Sequence, residues 1–126
     1  MSIQLDLVGI VVADMGRALA FYRTLGLAIP AHADAEAHVE VNEDGVRLAF
    51  DTVDVATSVY GDWGPASGHR IELAFRCASR TDVDSRYETL MAAGYTGHRA
   101  PWDAFWGQRY AIVCDPDGNR ISLFAA

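Results

Sequence analysis

Residues 7–27 read LVGIVVADMGRALAFYRTLGL, and their periodicity changes at Asp14. Upstream, segment 5–13 (LDLVGIVVA) is almost continuously apolar and rich in β-branched side chains, the pattern of a buried strand. Asp14 has a short carboxylate that can accept from the free N–H groups of a first helical turn, so it reads as an N-cap. Beyond it, Met15, Ala18, Leu19, Tyr22 and Leu25 recur at helical spacing, and Gly26 ends the helix as a C-cap. A strand therefore feeds straight into an amphipathic helix.

Three short strand candidates follow, at 28–33, 37–42 (AHVEVN) and 46–51 (VRLAFD); EDG joins the last two as a hairpin signal. Segment 52–69 is polar, contains Gly and Pro, and reads as a connector with Tyr60 and Trp63 embedded in it. The pattern then restarts. IELAFRC (71–77) reads as a strand, and Ser79 can cap a helix over about 81–93 with Val83, Tyr87, Leu90 and Met91 on one face. Gly94 ends that helix. Strand candidates at 95–99, 108–114 and 119–124 complete the second half, the last two joined by the DPDG turn.

The chain is thus an internal repeat of strand–helix–strand–strand–strand. A shift of 65 carries Tyr22 onto Tyr87 and Leu25 onto Leu90, and a shift of 73 carries Asp44-Gly45 onto Asp117-Gly118 and Arg47 onto Arg120. The expected fold is α+β: tandem βαβββ modules forming curled mixed sheets around a ligand cavity. Module one is residues 1–52, the connector 53–69 and module two 70–126, all within one domain of 126 residues. Neither half can bury a sheet face alone.

Composition narrows the function. The net charge is −7 and all ten basic residues are arginine, so no basic cluster suits nucleic acid. No run of about 18 apolar residues exists to span a membrane. The N-terminus lacks a basic region before its apolar run, so no signal peptide is read there. Cys77 and Cys114 fall inside expected strands without a CxxC spacing, as in a reduced cytoplasmic protein. Cytoplasmic location is the expectation.

The opening stretch, with DPDGNRISL near the C-terminus, resembles the two signatures of the vicinal oxygen chelate superfamily, which includes glyoxalases, extradiol dioxygenases and bleomycin-resistance proteins. The resemblance covers essentially the whole chain. It implies a divalent metal held from the first and last strands of each module. Under the repeat those four positions are Leu7, Glu72, Ala49 and Ser122. Hydrocarbon side chains cannot coordinate, and a neutral serine is a poor ligand for transition metals. The expectation is no metal and no cofactor. A relocated site using His38, Asp51, His69 or His98 stays open.

Without a metal, the resemblance points to the drug-binding branch: a non-catalytic protein, commonly a homodimer, that sequesters an antibiotic. The expected ligand is a small aromatic or cationic natural product. Candidate binding residues are Trp102, Phe105, Trp106 and Tyr110 in HRAPWDAFWGQRY, Tyr60 and Trp63 in the connector, and Glu72, His38, Asp51 and Phe50 on strands. Flat rings can stack on a planar ligand. The same rings also suit a dimer interface or the open end of a sheet, and both readings stand at this point. The alternative is an enzyme with an atypical metal site, or one that uses Glu72 as a base.

Overall fold

The computed structural model describes residues 3–43 and 45–126. Close contacts group the chain into two units: the residues up to Arg23 with Leu27–Ala66, and Thr24–Gly26 with Ser67–Ala126. Each holds an unclosed mixed sheet and follows the repeat read from the sequence.

In the first unit, β1 (Leu7–Val12) leads into α1 (Met15–Leu25). Asp14 caps this helix, its carboxylate accepting from the Arg17 N–H at 2.9 Å. β2 (His38–Glu43) and β3 (Val46–Thr52) form an antiparallel pair, and β1 lies parallel to β3 on its other side, giving the order β1-β3-β2. The EDG turn expected between β2 and β3 includes Asp44, which lies outside the described residues. Ile10, Val12, Val39, Val41, Leu48 and Phe50 are the buried residues of these strands, with Ala49. The ring of Tyr22, from α1, packs on Phe50 with centroids 4.9 Å apart.

Two expectations fail in this unit, each for a local reason. Segment 28–33 is not a strand. Pro30 has no N–H to give a ladder, and its carbonyl instead accepts from Ala33 N–H at 3.1 Å to open a 3-10 turn over Ala31–Ala35. Arg23 holds that turn, donating to the Ile29 and Pro30 carbonyls at 2.8 and 2.7 Å and to Asp34 at 2.8 Å. The first sheet therefore has three strands rather than four. The connector is also not irregular throughout, since Val53–Tyr60 form helix α2. Thr52 caps its start by accepting from Val55 N–H at 3.3 Å. Gly61, at φ 79°, ends it in the left-handed conformation that glycine adopts without strain.

In the second unit β4 (Leu73–Arg76) is followed by α3 (Arg80–Ala92), β5 (Thr96–Asp103), β6 (Arg109–Cys114) and β7 (Arg120–Ala125), in sheet order β4-β7-β6-β5. Ser79 caps α3 by accepting from Asp82 N–H at 3.0 Å. The helix lies against β5, β6 and β7. Its approach to β5 depends on Gly97, where a Cβ would fall 2.2 Å from the Tyr87 hydroxyl. β4 is shorter than expected and begins after Glu72, whereas β5 is longer and takes Trp102 out of the loop where the sequence placed it. Two register irregularities, between Gly97 and Arg99 and between Arg99 and Trp102, bend β5.

The β6–β7 turn is built on one carboxylate. Asp115 is buried, and its Oδ1 accepts from the N–H groups of Asp117 and Asn119 at 3.0 and 2.8 Å while Oδ2 accepts from Asn119 Nδ2 at 2.8 Å. The backbone closes with Gly118 N–H to Asp115 O and Asp115 N–H to Asn119 O, both at 3.0 Å. This cage sets the register Tyr110↔Phe124 and Ile112↔Ser122. Among the described residues no helix is long and apolar enough to cross a membrane.

Replacing Asp115 by Ala removes the buried acceptor shared by these three donors of a half-exposed turn. The expected cost is about 3 kcal/mol of unfolding free energy, read as a lower urea midpoint at unchanged slope. An unaltered midpoint would show that the turn forms without its carboxylate.

Candidate functional site

In each unit one sheet face buries the apolar alternates of its strands, and the other face is where chemistry gathers. In the first unit the register aligns three rows across that outer face: Leu7–Arg47–Asn42, Gly9–Ala49–Glu40 and Val11–Asp51–His38. The polar members form a chain of ion pairs. Arg47 donates to Asp6 at 2.5 Å and to Glu40 at 2.7 Å. His38 meets Glu40 through Nε2 at 2.8 Å and Asp51 through Nδ1. Hydrogen bonding to Glu40, then to Asp51, holds the His38 pKa above its ordinary value. With both ring nitrogens facing carboxylates, the protonated imidazolium is the favoured form, and it can donate a proton more readily than accept one. The Glu40 carboxyl is held below its ordinary range by His38 and Arg47.

In the second unit the rows are Arg76–Phe124–Tyr110–Trp102 and Ala74–Ser122–Ile112–Arg99, with Arg120 and Cys114 paired one step further on. The first is an aromatic ridge. Trp102 and Tyr110 have centroids 5.3 Å apart, and Phe124 stacks on Tyr110 at 6.3 Å. Trp106 joins from the 104–107 turn at 5.3 Å from Tyr110, with Phe105 edge-on to it at 5.0 Å. The turn is held by Gly107 N–H to Ala104 O at 3.0 Å, by Arg80, which donates to Gly107 O at 3.3 Å, and by Trp106 Nε1 donating to Gln108 at 2.9 Å. Phe105 at its tip is 96% exposed. The Arg99 guanidinium sits 3.6 Å above the Trp102 ring.

Ser122 stands in the middle of β7 with its side chain on this face. It is fully buried, and its hydroxyl has no hydrogen-bond partner among the described residues. Such a group costs about 1–3 kcal/mol until something satisfies it.

The structure thus brings together Trp102, Phe105, Trp106 and Tyr110 in the second unit and, separately, His38 and Asp51 in the first. Tyr60 and Trp63 form their own pair in the first unit, at 5.5 Å, with Tyr60 70% exposed. Glu72 is exposed just ahead of β4, with no ion pair among the described residues. Phe50 joins neither group: it is 0% exposed and packs on Tyr22, on the opposite face of β3 from Ala49 and Asp51. Sequence reasoning placed it by strand membership and overlooked strand alternation, which sets Phe50 and Asp51 on opposite faces. It also missed Glu40, Arg99 and Phe124, though each lies two or three residues from a named candidate or in register with one. An open depression of about 470 Å³ in the first unit is lined by Met15, Asp34, Glu36, Thr52, Asp54 and Ser58 among others, and holds none of the expected residues.

The metal positions implied by the resemblance do not fit a divalent ion. The shifts of 65 and 73 carry Gly9 onto Ala74 and Ala49 onto Ser122, so the two sheets are in repeat register at this level. In the second unit the orphaned Ser122 hydroxyl is flanked by Ala74, Ile112, Phe124 and Arg120, which offer no anionic donor. Among the described residues no group of three or more His, Cys, Asp or Glu side chains is disposed to hold an ion. Cys77 is buried, and burial pushes its thiol pKa up, away from thiolate chemistry.

Comparison with known proteins supports the fold and the family. The family model described as Glyoxalase/Bleomycin resistance protein/Dioxygenase superfamily matches residues 4–123. A glyoxalase/bleomycin resistance protein/dioxygenase family enzyme from Burkholderia phytofirmans superimposes with a TM-score of 0.83 at 21% identity, covering 97% of this chain and 98% of that one. A superfamily member from Sphaerobacter thermophilus is 28% identical with a TM-score of 0.69, covering 97% and 96%. An uncharacterized protein of Mycobacterium tuberculosis is 44% identical over 43 residues; the match spans 34% of this chain and only 25% of that relative.

The His38 cluster makes a pH prediction. Its raised pKa means that folding favours the protonated ring. The stabilisation is complete below the unfolded value near 6.5 and is lost as pH rises through the folded value. An NMR titration should place the His38 transition above 6.5, and Glu40→Gln or Asp51→Asn should each bring it down. A wild-type midpoint at or below 6.5 would mean that the cluster does not persist in solution.

Proposed function

The chain belongs to the glyoxalase/bleomycin resistance protein/dioxygenase superfamily, and within it we propose that it is a non-catalytic binding protein for a planar aromatic small molecule. One observation carries the proposal: the outer face of the second sheet presents an aromatic ridge beside Ser122, where the resemblance implies a metal-binding carboxylate. Trp102, Tyr110 and Phe124 offer ring faces and edges on a rigid three-strand platform, and Trp106 and Phe105 stand beside it on a turn. Each ring contact contributes on the order of 1 kcal/mol beyond the area it buries. Ligand-metal chemistry lacks its carboxylates, since Leu7, Ala49 and Ser122 occupy three of the four implied places. A ligand gripped there is held without a reagent to transform it, as befits sequestration of a toxic natural product such as an antibiotic. The proposed setting is the cytoplasm, as a homodimer.

A second reading, an enzyme that moves a proton, rests on His38 rather than on Glu72. His38 is oriented at both nitrogens by Glu40 and Asp51, whereas Glu72 has no partner among the described residues to position it. In this reading the imidazolium is a general acid.

Sequestration makes two measurable claims. Titration with planar aromatic antibiotics should quench tryptophan fluorescence, and chromatography should recover the ligand unchanged. Trp102→Ala and Trp106→Ala should each weaken binding by about tenfold, the value of one lost ring contact of roughly 1.4 kcal/mol, with the fold intact. Recovery of a modified ligand would favour the enzyme, and so would one tightly bound divalent ion per chain in the purified protein.

A further inference from the structure

The outer face of the second sheet also has a charge, and it runs against the composition. Among the described residues, five of the ten arginines are seen ion-paired: Arg23 with Asp34, Arg47 with Asp6 and Glu40, Arg80 with Asp103, Arg86 with Asp82, and Arg109 with Asp84 and Asp103. Arg76, Arg99 and Arg120 have no carboxylate partner among the described residues, and all three project from the same face as Ser122. Arg99 rests on Trp102, and Arg120 donates to His98 Nε2 at 2.8 Å, a contact that requires a neutral imidazole nitrogen. Of the acids nearest in sequence, Asp103, four residues from Arg99, is taken by Arg80 and Arg109, Asp117, three from Arg120, lies in the β6–β7 turn, and Glu72, four before Arg76, is exposed ahead of β4; none is ion-paired with these three among the described residues. Three cations against one carboxylate leave this face positive on a chain of net charge −7. At physiological salt, screening over about 8 Å makes the local groups decisive for a bound ligand.

The geometry points to a planar aromatic carboxylate as the ligand class of this face. The inference rests on the aromatic-ligand reading above and adds the sign of the ligand's charge. Neighbouring strands lie about 4.8 Å apart, so the row from Arg76 to Trp102 spans roughly 14 Å, room for a fused-ring system with an acid at one end. Ser122 lies one row over. Its hydroxyl is fully buried and unpartnered, beside guanidinium and hydrocarbon, so an incoming anion can take its proton in a hydrogen bond. Guanidinium matches a carboxylate in plane and in pairs, which a cationic ligand would meet only as repulsion. The acidic composition suggests a cation as the natural partner; the placement of these three arginines selects the opposite.

The test uses three probes of one shape on the full chain: 2-naphthoate, neutral 2-naphthamide and cationic 2-naphthylmethylammonium, titrated calorimetrically. The carboxylate should bind at least about tenfold more tightly than the amide, as charge-assisted hydrogen bonds are stronger than neutral ones, with the cation weakest. Arg76→Gln with Arg120→Gln should erase the preference, bringing carboxylate affinity down to that of the amide. Both side chains reach solvent, and a retained amide spectrum in NMR confirms the fold. Ser122→Ala should lower carboxylate affinity alone. Equal binding of all three probes would overturn the anion inference and leave the aromatic-face reading standing. Anion preference in a protein that converts its ligand would do the reverse. Absence of naphthoate binding, or a preference that survives the double variant, would also overturn the inference.

Discussion

The arrangement of the second unit depends on one buried carboxylate. Asp115 gathers three side-chain hydrogen bonds into the β6–β7 turn, and a strand slipped by one residue presents its other face. Were β7 to slip, Ile121 and Leu123 would leave the core and Ser122 and Phe124 would enter it. The aromatic ridge, the orphaned hydroxyl and the arginine rows all inherit their positions from that register. A turn that reads as mere punctuation in the sequence therefore fixes which side chains meet a ligand.

The two sheets share a three-strand frame, to which the second adds β5, and are opposite in chemistry. β1 lies parallel to β3 as β4 lies parallel to β7, and Gly9–Ala49 corresponds to Ala74–Ser122. Yet the first outer face neutralises its one arginine with Asp6 and Glu40 and adds His38 and Asp51, whereas the second leaves arginines unpaired beside aromatic rings. Duplication preserved the hydrogen-bonded frame, because backbone geometry and buried alternates constrain it. The outward side chains, free of that constraint, diverged.

The same division governs what could be read in advance. The repeat, both helices capped by Asp14 and Ser79, and the β6–β7 hairpin are written in local signals that act within a few residues, and they were legible. α2 was not, because TVDVATSVY is polar and β-branched; its only signals are Thr52 and Gly61, a cap at each end, and they are easily taken for loop residues. The lost strand at 28–33 turns on Pro30 and on Arg23 bonding the carbonyls six and seven residues ahead, a side-chain-to-backbone contact that hydrophobic periodicity does not register. At the site, aromatic residues were conspicuous by type, so Trp102, Trp106 and Tyr110 were found. Phe124, Arg99 and Arg76 were not, since their importance comes from register across three strands. Phe50 shows the converse: a conspicuous ring whose alternation sends it into the core.

Where the second sheet covers β6 with β5, the first sheet stops at β2, because the chain spends the equivalent segment on a 3-10 turn. An unpaired strand margin is a template for joining another chain. Here that margin reads HVEVNE, with carboxylates at Glu40 and Glu43 and isoleucine, phenylalanine and tyrosine all absent. Two copies meeting side by side along it would have to admit the His38–Glu40 ion pair of each strand, so the exposed ladder carries its own charges against runaway self-association.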